Sequence, residues 1–180
     1  MESEETSLDG LLVLTPRVFS DARGAFFESF NEGQFRAATG FDGAFVQDNQ
    51  SESRKGVVRG LHYQLAPHAQ GKLVRVVSGA IYDVALDIRK GSPTYGRWAG
   101  VTLSAENRRQ FWIPAGFAHG FAALSDNTIV LYKTTASWNG GAERAIRWND
   151  PGLGIDWPVT DPILSDKDRA APPFSAAEPM

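Results

Sequence analysis

Short apolar runs separated by turn residues occupy most of the chain. The runs are rich in β-branched and aromatic residues, and Gly, Asn, Asp and Pro stand between them. This spacing is typical of an antiparallel sandwich or barrel. It predicts strands at residues 11–15, 25–30, 44–49, 57–64, 72–77, 80–88, 97–103, 109–113, 121–124, 128–136 and 145–148. Residues 32–39 carry the only helical pattern in the first half, and Gly40 should end that helix.

The predicted strand 80–88 shows which kind of surface it borders. One of its faces is apolar throughout, whereas the other alternates apolar residues with Asp83 and Asp87. Such a strand borders a core. Because an unsatisfied polar group is costly inside a small barrel, inward polar residues are the first places to look for a ligand site.

Length and charge limit the possible architectures and partners. The chain has 180 residues, of which 42% are apolar. That is enough for one core, so we expect a single domain over residues 1–180, with flexible ends at 1–9 and 173–180. The formal charge of −3 argues against a nucleic-acid partner, which would require a basic excess. An anionic ligand would therefore need a local cluster of cations.

The N-terminus and the absence of cysteine narrow the chemistry. The first ten residues are acidic and have no secretory signal, and no apolar run has the length of a membrane span. We therefore expect a cytoplasmic protein without a membrane partner. The lack of cysteine excludes disulfides, thiolate nucleophiles and thiolate zinc sites. His62, His68 and His119 are the three imidazoles.

Arg59, His62 and Lys72 lie on two strands that we expect to be adjacent, so they could share a pocket. Arg59 and His62 have opposite parity and would point to opposite faces unless the strand is bulged, which Gly60 would permit. The alternative is that His62 is a satisfied core histidine and that the two cations lie on the surface. His119, between glycines and aromatics, has the same two interpretations, and we expect His68 to be solvated in its loop.

The spacing of the histidines does not favour a metal site. Gln64 stands where a second closely spaced histidine would be needed, and three scattered imidazoles form a weak ligand set. We therefore predict no metal. Tyr132 taken alone suggests a core aromatic with a bonded hydroxyl. Residues 166–168 are expected in a turn, where aspartates usually cap or are solvated.

Several ordered segments nevertheless point to one family. They are FSDARGAFFESF, FVQDNQS, VVRGLHYQ, QGKLVRVVSG, DVALDIRKGSPTYG, LSAENRRQFWIPAGFAHGF, LYKTT and LSDKD. From about Leu8 to Pro172 the chain resembles the dTDP-4-dehydrorhamnose 3,5-epimerase family of the cupin superfamily. The resemblance implies an all-β, cupin-type jelly roll with short flanking helices. It also implies a homodimer that epimerises carbons 3 and 5 of dTDP-4-dehydro-6-deoxy-D-glucose without metal or other cofactor.

The resemblance also assigns catalytic roles. His62 matches the general base, and Asp168 matches the carboxylate that orients and polarises its imidazole. Tyr132 matches the acid that returns a proton from the opposite face. Lys72 matches a cation near the developing enolate oxygen. A base with an orienting partner and a fixed cation suits a reaction that passes through an enolate.

Substrate-binding positions match as well. They are Arg23, Glu28, Gln47, Asn49, Arg59, Lys72, His119, Glu143 and Lys167, with Phe19 and Phe26 flanking the thymine ring. In the family the early segment reaches the neighbouring subunit's site. Arg23 and Arg59 would meet the diphosphate charge. The chain departs from the family pattern at Gln50, at Ser137 and in a shorter 157–164 loop, and Trp138 could stack in place of a tyrosine.

Three alternatives remain open beside the interpretation that the resemblance implies. One is a mono-epimerase acting on a related dTDP-4-keto-6-deoxy sugar, which Tyr132 does not distinguish from a double epimerase. Another is a cupin that binds a sugar nucleotide without catalysis, although such a module needs no base, orienting carboxylate and opposed phenol. The third is a metal-dependent oxygenase or isomerase.

Overall fold

The computed structural model describes all of residues 1–180 and is built almost entirely from strands. The strands are β1 (Glu2–Glu5), β2 (Leu12–Thr15), β3 (Val18–Asp21), β4 (Gly24–Phe27), β5 (Gln47–Ser53), β6 (Val58–Gln64), β7 (Lys72–Ser78), β8 (Ala80–Asp87), β9 (Trp98–Ser104), β10 (Gln110–Ile113), β11 (Phe117–Ala123), β12 (Thr128–Thr134) and β13 (Glu143–Ala145). The helices are α1 (Glu32–Thr39), α2 (Asp166–Arg169) and a 3₁₀ turn at Phe174–Ala176. None of the helices has the length and apolar character needed to cross a membrane.

Two antiparallel sheets form the body of the molecule. A six-stranded sheet has the order β1-β2-β10-β7-β12-β5, and a five-stranded sheet has the order β13-β6-β11-β8-β9. Strands β3 and β4 form a separate hairpin that pairs with neither sheet. The prediction of an all-β, cupin-type jelly roll with short flanking helices is confirmed.

The main core lies between the two sheets. Fourteen buried apolar residues form it, including Val74, Val76, Phe111 and Val130 from the six-stranded sheet and Ile81 from the five-stranded sheet. Burial of this surface at roughly 25 cal/mol per Å² supplies the main driving force for folding. At one end of the sandwich polar side chains replace the apolar ones and line a cavity.

The outer faces of both sheets are also covered. Helix α1 and three phenylalanines pack on Leu14, Leu73 and Trp112 of the six-stranded sheet. The segments that follow β13 cover the five-stranded sheet, where Trp157 and Leu153 pack against its buried residues. The wholly apolar face of β8 points to this outer layer, so its half-polar face, which carries Asp83, points into the space between the sheets.

Helix α1 has the bounds that the sequence predicted. Asn31 caps its start by accepting a hydrogen bond from the backbone N–H of Gln34, and Gly40 ends it with a left-handed φ of 69°. Asn at the N-cap and Gly at the C-terminal boundary are both preferred residues for these positions. Phe35 anchors the helix in the outer cluster.

The ends of the chain are more structured than the sequence suggested. Residues 1–9 were expected to be flexible, yet β1 pairs along β2 in register from Glu2 with Thr15 to Glu5 with Leu12. In the C-terminal tail, the backbone N–H of Met180 donates to Ile88 O at 2.8 Å, and the Tyr63 hydroxyl donates to Glu178 O at 2.8 Å. Composition did not indicate that these segments are ordered, because backbone pairing holds the first and backbone bonds with the Tyr63 hydroxyl hold the second.

The observed strand boundaries differ from the predicted ones where polar or small residues lie in strands. Strand β5 continues to Ser53 through polar residues that pair along the whole of β12. Strand β11 begins at Phe117 rather than at residue 121. Strand β13 ends at Ala145, where the sequence predicted a strand to begin. Strand β3 was not predicted. Residues 166–168 form the short helix α2 rather than a turn.

A bulge in β6 resolves the parity of Arg59 and His62. On β6 these residues are three positions apart, whereas their partners on β11, Phe121 and His119, are two apart. Gly60, between them, has a φ of 121°. A Cβ atom at Gly60 would lie 2.5 Å from the Cα atom of Gly120, so the two backbones approach closely where only glycine fits.

Candidate active site

A polar cavity of about 320 Å³ opens at one end of the sandwich, between the two sheets. Its walls combine the inward-facing residues of β5, β7 and β12 from one sheet with those of β6 and β13 from the other. The lining residues are Gln47, Asn49, His62, Tyr63, Gln64, Gln70, Lys72, Tyr132, Trp138 and Glu143. The structure therefore brings predicted site residues from five strands into one place.

His62 is held by a buried carboxylate. Its Nε2 atom lies 2.5 Å from Oδ1 of Asp168. The other carboxylate oxygen of Asp168 accepts a hydrogen bond of 2.9 Å from the hydroxyl of Ser165, which also caps α2. Asp168 is 3% exposed, whereas the His62 side chain is 28% exposed and reaches the cavity.

This pairing keeps Asp168 ionised. Burial alone would raise the pKa of Asp168, but the hydrogen bond and charge of His62, the Ser165 hydroxyl and Lys167 lower it overall. An ionised partner can stabilise an imidazolium, so the arrangement suits a histidine that accepts a proton.

Tyr132 enters the same cavity from the facing sheet. Strand β12 directs its side chain inward beside the buried Val130. Burial raises the pKa of the Tyr132 phenol, the charge of Arg59 lowers it less, and the charge of Glu143 adds to the increase. The phenol therefore keeps its proton at neutral pH and can act as an acid.

Lys72 is a buried cation at the floor of the cavity. The residue is 7% exposed, and its Nζ atom donates to the backbone oxygen of His62 at 3.3 Å. Burial lowers the pKa of Lys72 to about 8, although the charges of Asp83 and Glu143 oppose the decrease. A cation with so little water around it acts strongly on any negative charge that develops nearby.

His119 lies directly opposite His62 on the neighbouring strand. Its Nε2 atom lies 2.7 Å from Oδ1 of Asp83. Burial lowers the pKa of His119 despite the charge and hydrogen bond of Asp83. His119 is therefore a buried histidine whose imidazole is paired with a carboxylate, as the interpretation of a tightly packed histidine predicted.

Glu143 and Lys167 form an ion pair at the rim, with Lys167 Nζ 2.6 Å from Glu143 Oε1. Burial would raise the pKa of Glu143, but the hydrogen bond and charge of Lys167 and the charge of His62 lower it overall. Both predicted residues are therefore at the mouth of the cavity.

A network of amides shapes the opposite side of the mouth. Gln47 donates to Asn49 Oδ1 at 2.8 Å and accepts from the backbone N–H of Trp138 at 2.9 Å. Gln64 donates to Ser137 O and accepts from the backbone N–H of Asn139. These bonds hold the loop that carries Trp138, whose side chain is 62% exposed at the mouth.

Arg59 reaches across the sandwich from β6. Its Nε atom donates to Ser53 Oγ at 3.2 Å, and an Nη atom donates to Glu52 O at 3.0 Å. Because Ser53 is on the facing sheet, Arg59 extends on the same side of its own sheet as His62. Its guanidinium therefore supplies positive charge next to the cavity.

Four predicted residues are not brought to this cavity. Phe19 and Phe26 face each other across the β3–β4 hairpin and are 52% and 68% exposed. Arg23, near the hairpin turn, pairs with Asp21 at 2.6 Å and is 90% exposed. Glu28 accepts a hydrogen bond from Gln34 of α1 at 2.8 Å. Within one chain, these residues do not contact the residues around His62.

Sequence reasoning missed three residues that support the site. Asp83 binds His119, Ser165 holds Asp168, and Gln64 fixes the Trp138 loop. The signal available in the sequence for Asp83 was an acidic residue in a strand with one apolar face.

No three His, Asp or Glu side chains are grouped so that they could hold a metal ion.

Comparisons with known proteins match this chain to one family. The family description dTDP-4-dehydrorhamnose 3,5-epimerase matches residues 5–176. A protein of that name from Shigella flexneri is 55% identical over 174 residues, which cover 97% of this chain and 96% of the relative.

Solved structures show the same similarity. The crystal structure of dTDP-6-deoxy-D-glucose-3,5-epimerase from Legionella pneumophila, in complex with dTDP-4-keto-L-rhamnose, has a TM-score of 0.95 and 48% identity. The match covers 98% of this chain and 94% of that one. A 3'-monoepimerase from Streptomyces bikiniensis, in complex with dTDP-quinovose, has a TM-score of 0.89 and 37% identity over 94% of this chain and 86% of that one.

Proposed function

The chain belongs to the dTDP-4-dehydrorhamnose 3,5-epimerase family and is an epimerase, and from that premise we propose how its residues act. The proposed substrate is dTDP-4-dehydro-6-deoxy-D-glucose, whose carbons 3 and 5 both adjoin the carbon-4 ketone. His62 is the base and Tyr132 is the acid. The product of inversion at both carbons is dTDP-4-dehydro-L-rhamnose.

One observation carries this proposal. His62 and Tyr132 line the same cavity but come from different sheets, β6 and β12. A sugar ring between them would present opposite faces to the imidazole and the phenol. Inversion of a carbon requires removal of a proton from one face and return of a proton to the other, which this opposition supports.

The reaction proceeds by proton transfers alone. His62 takes the proton from the carbon, and the C–H electron pair moves into the ring to form an enolate on the carbon-4 oxygen. The imidazolium is stabilised by the Asp168 carboxylate 2.5 Å away. Tyr132 then donates its proton to the opposite face of the carbon, and the enolate returns to a ketone. Solvent takes the proton from the His62 imidazolium and reprotonates the Tyr132 phenolate, so both groups are ready for the second carbon.

Lys72 is proposed to stabilise the enolate. Its ammonium group is buried beside His62, so water screens its charge weakly. A fixed cation at a developing oxyanion can contribute about 3–4 kcal/mol to transition-state stabilisation. No metal or other cofactor is included in these steps.

We further propose that the substrate's nucleotide is held between subunits of a homodimer. The β3–β4 hairpin pairs with neither sheet and exposes Phe19, Phe26 and Arg23. Exposed aromatics and an arginine suit a thymine ring and a diphosphate. Because these residues do not reach their own chain's cavity, the hairpin would serve the site of the partner subunit, with Glu28 at its base.

The remaining binding roles follow the layout of the cavity. Arg59 would meet the diphosphate from within the chain, and Trp138 would stack on the thymine at the mouth. Gln47, Asn49 and the Glu143–Lys167 pair would contact the sugar nucleotide, with His119 beside the sugar.

Deuterium incorporation tests the reaction directly. The purified protein is incubated with dTDP-4-dehydro-6-deoxy-D-glucose in deuterated water, and carbons 3 and 5 are followed by NMR. Incorporation at both carbons, with dTDP-L-rhamnose formed after a reductase is added, is the expected result. Incorporation at a single carbon would instead identify a mono-epimerase. Absence of incorporation, with dTDP still bound, would overturn this substrate in favour of a different keto-sugar or of a non-catalytic binding protein.

Two histidine variants test the assignment of His62 as the base. His62→Ala should abolish turnover and leave dTDP binding largely intact, because the imidazole acts on the sugar rather than on the nucleotide. His68→Ala is the matched control, since His68 lies in a loop and its Nε2 atom contacts only the Asn139 amide. Unchanged turnover in His62→Ala would remove His62 from the mechanism.

A further inference from the structure

Asp83 is a fully buried carboxylate on the inner face of β8. It is 0% exposed, and its Oδ1 atom lies 2.7 Å from Nε2 of His119. The two residues are diagonal neighbours, because Asp83 is directly opposite Phe121, two positions along β11 from His119. With a neutral imidazole, this contact requires the proton on Nε2 and leaves Nδ1 of His119 as an acceptor.

The second oxygen of Asp83 has no hydrogen-bond partner although it is buried. A buried carboxylate oxygen without a donor is costly unless a charge nearby compensates it. Lys72 is a buried cation on which the charge of Asp83 acts. Its ammonium group has three donors but finds a single acceptor, the His62 backbone oxygen at 3.3 Å.

We infer that Asp83 is a positioning residue of the active site that acts on two neighbours. One oxygen fixes the tautomer and orientation of His119, and the negative charge of the carboxylate keeps the buried Lys72 cationic. The role of Lys72 at the enolate belongs to the proposed function, so the catalytic consequence of this inference rests on that proposal. The interaction of Asp83 with Lys72 and His119 does not depend on it.

Other charges around Lys72 are weaker candidates for this role. Glu143 from β13 also favours the charged lysine, but it already pairs with Lys167, whose own charge opposes it. His62 and His119 are imidazoles without fixed negative charge, and Tyr132 keeps its proton. Asp168 is engaged with His62 and Ser165. Asp83 is the buried carboxylate that has a free oxygen.

An NMR titration tests the inference without turnover. The Lys72 ammonium signal, assigned with a Lys72→Arg variant, is followed against pH in the native protein and in Asp83→Asn. The native group should titrate near pH 8. In Asp83→Asn its pKa should fall by about one unit or more, because an opposite charge nearby favours the charged form. Asp126→Asn, a carboxylate in an exposed turn, should leave the Lys72 titration unchanged.

A second measurement needs no substitution. The Asp83 carboxyl carbon of the native protein should change its chemical shift over the same pH range in which Lys72 loses its proton. This chemical-shift measurement tests the inference even if Asp83→Asn does not fold. The inference is overturned if the Asp83 signal is flat through that range, or if Lys72 has the same pKa in the native protein and in folded Asp83→Asn.

The activity profile then links the pair to catalysis. In Asp83→Asn, kcat/KM should decline on the alkaline side at a lower pH than in the native enzyme, by the same shift that NMR records for Lys72. Asp83→Glu should restore part of the profile. An equal loss of activity at every pH would indicate a merely structural role for Asp83 and would overturn the positioning role. If the native protein shows no deuterium incorporation, the proposed function fails, while the NMR result still stands.

Discussion

The Nε2 atom of His62 lies 2.5 Å from Oδ1 of Asp168, although 106 positions separate the two residues in the chain. Strand β6 supplies the imidazole, and the short helix α2 supplies the carboxylate. Ser165 caps that helix and bonds the second carboxylate oxygen, so the cap also fixes the orientation of Asp168. The position of His62 therefore depends on a segment outside both sheets.

Asp168→Asn should retain the shape of this pair and remove its charge. Without the carboxylate the imidazolium is less stable, and we expect kcat to fall by roughly 10²–10⁴-fold, the usual range for positioned proton transfer. Binding of dTDP should be preserved, as measured by calorimetry. Asp166→Asn, at the exposed start of the same helix, is the control. Equal losses in both variants would mean that helix stability, rather than the His62–Asp168 contact, limits activity.

Tyr132→Phe should separate proton removal from proton return. Because His62 is intact, deuterium should still appear at a carbon next to the ketone. Little epimer should form, because the opposite face lacks its acid. NMR of the sugar in deuterated water measures both quantities. Tyr95→Phe, in which the exposed ring still packs on Phe174, should behave like the native enzyme. Normal epimer formation by Tyr132→Phe would assign the acid to water or another group.

Mixing two inactive variants should restore activity if the hairpin serves the partner. Arg23→Ala lacks the hairpin cation, and His62→Ala lacks the base. In a mixed dimer, one site combines an intact His62 with the intact hairpin of the other subunit. We expect up to half of the mixed-dimer sites to recover activity, measured after co-refolding. No recovery, despite mixed dimers detected by native mass spectrometry, would place Arg23 in the site of its own chain.

Asp87→Asn should destabilise the fold. Asp87 is 0% exposed and accepts hydrogen bonds from Arg89 at 2.7 Å, Ser92 at 2.6 Å and Thr94 at 2.6 Å. Removal of a buried, bonded charge typically costs about 3–5 kcal/mol. Urea unfolding monitored by fluorescence measures the loss. Glu32→Gln, which breaks an exposed pair with Arg36, should cost less than about 1 kcal/mol.

The same carboxylate predicts a pH dependence of stability. Burial would raise the pKa of Asp87, but its bonds to Arg89, Ser92 and Thr94 lower it overall. A lowered folded-state pKa means that this stabilisation is present above the unfolded value of about 4 and is lost as the pH falls toward the folded value. Acid titration of the unfolding free energy should therefore show a shallower decrease for Asp87→Asn. An identical slope would contradict the assignment.

Local sequence patterns predicted much of the framework because they act over a few residues. The alternation of apolar and polar residues along β8 identified its two faces. Helix α1 begins after Asn31 and ends at Gly40, as the backbone preferences of Asn and Gly favour. Polar strand β5 was predicted only in part, since its residues carry no apolar alternation and its place is set by pairing with β12. Strand β1 was missed for the same reason.

The sequence by itself determined the all-β class, the helix α1 and, through the family resemblance, the residue types of the site. Only the tertiary structure decided that the β6 bulge turns Arg59 and His62 to one side, that Asp83 bonds His119, and that the hairpin lies away from its own chain's cavity. The reason is physical. The apolar–polar alternation of a strand and the capping of a helix depend on residues that are close in the sequence. Strand register, bulges and buried ion pairs depend on residues that become neighbours only after the sheets form.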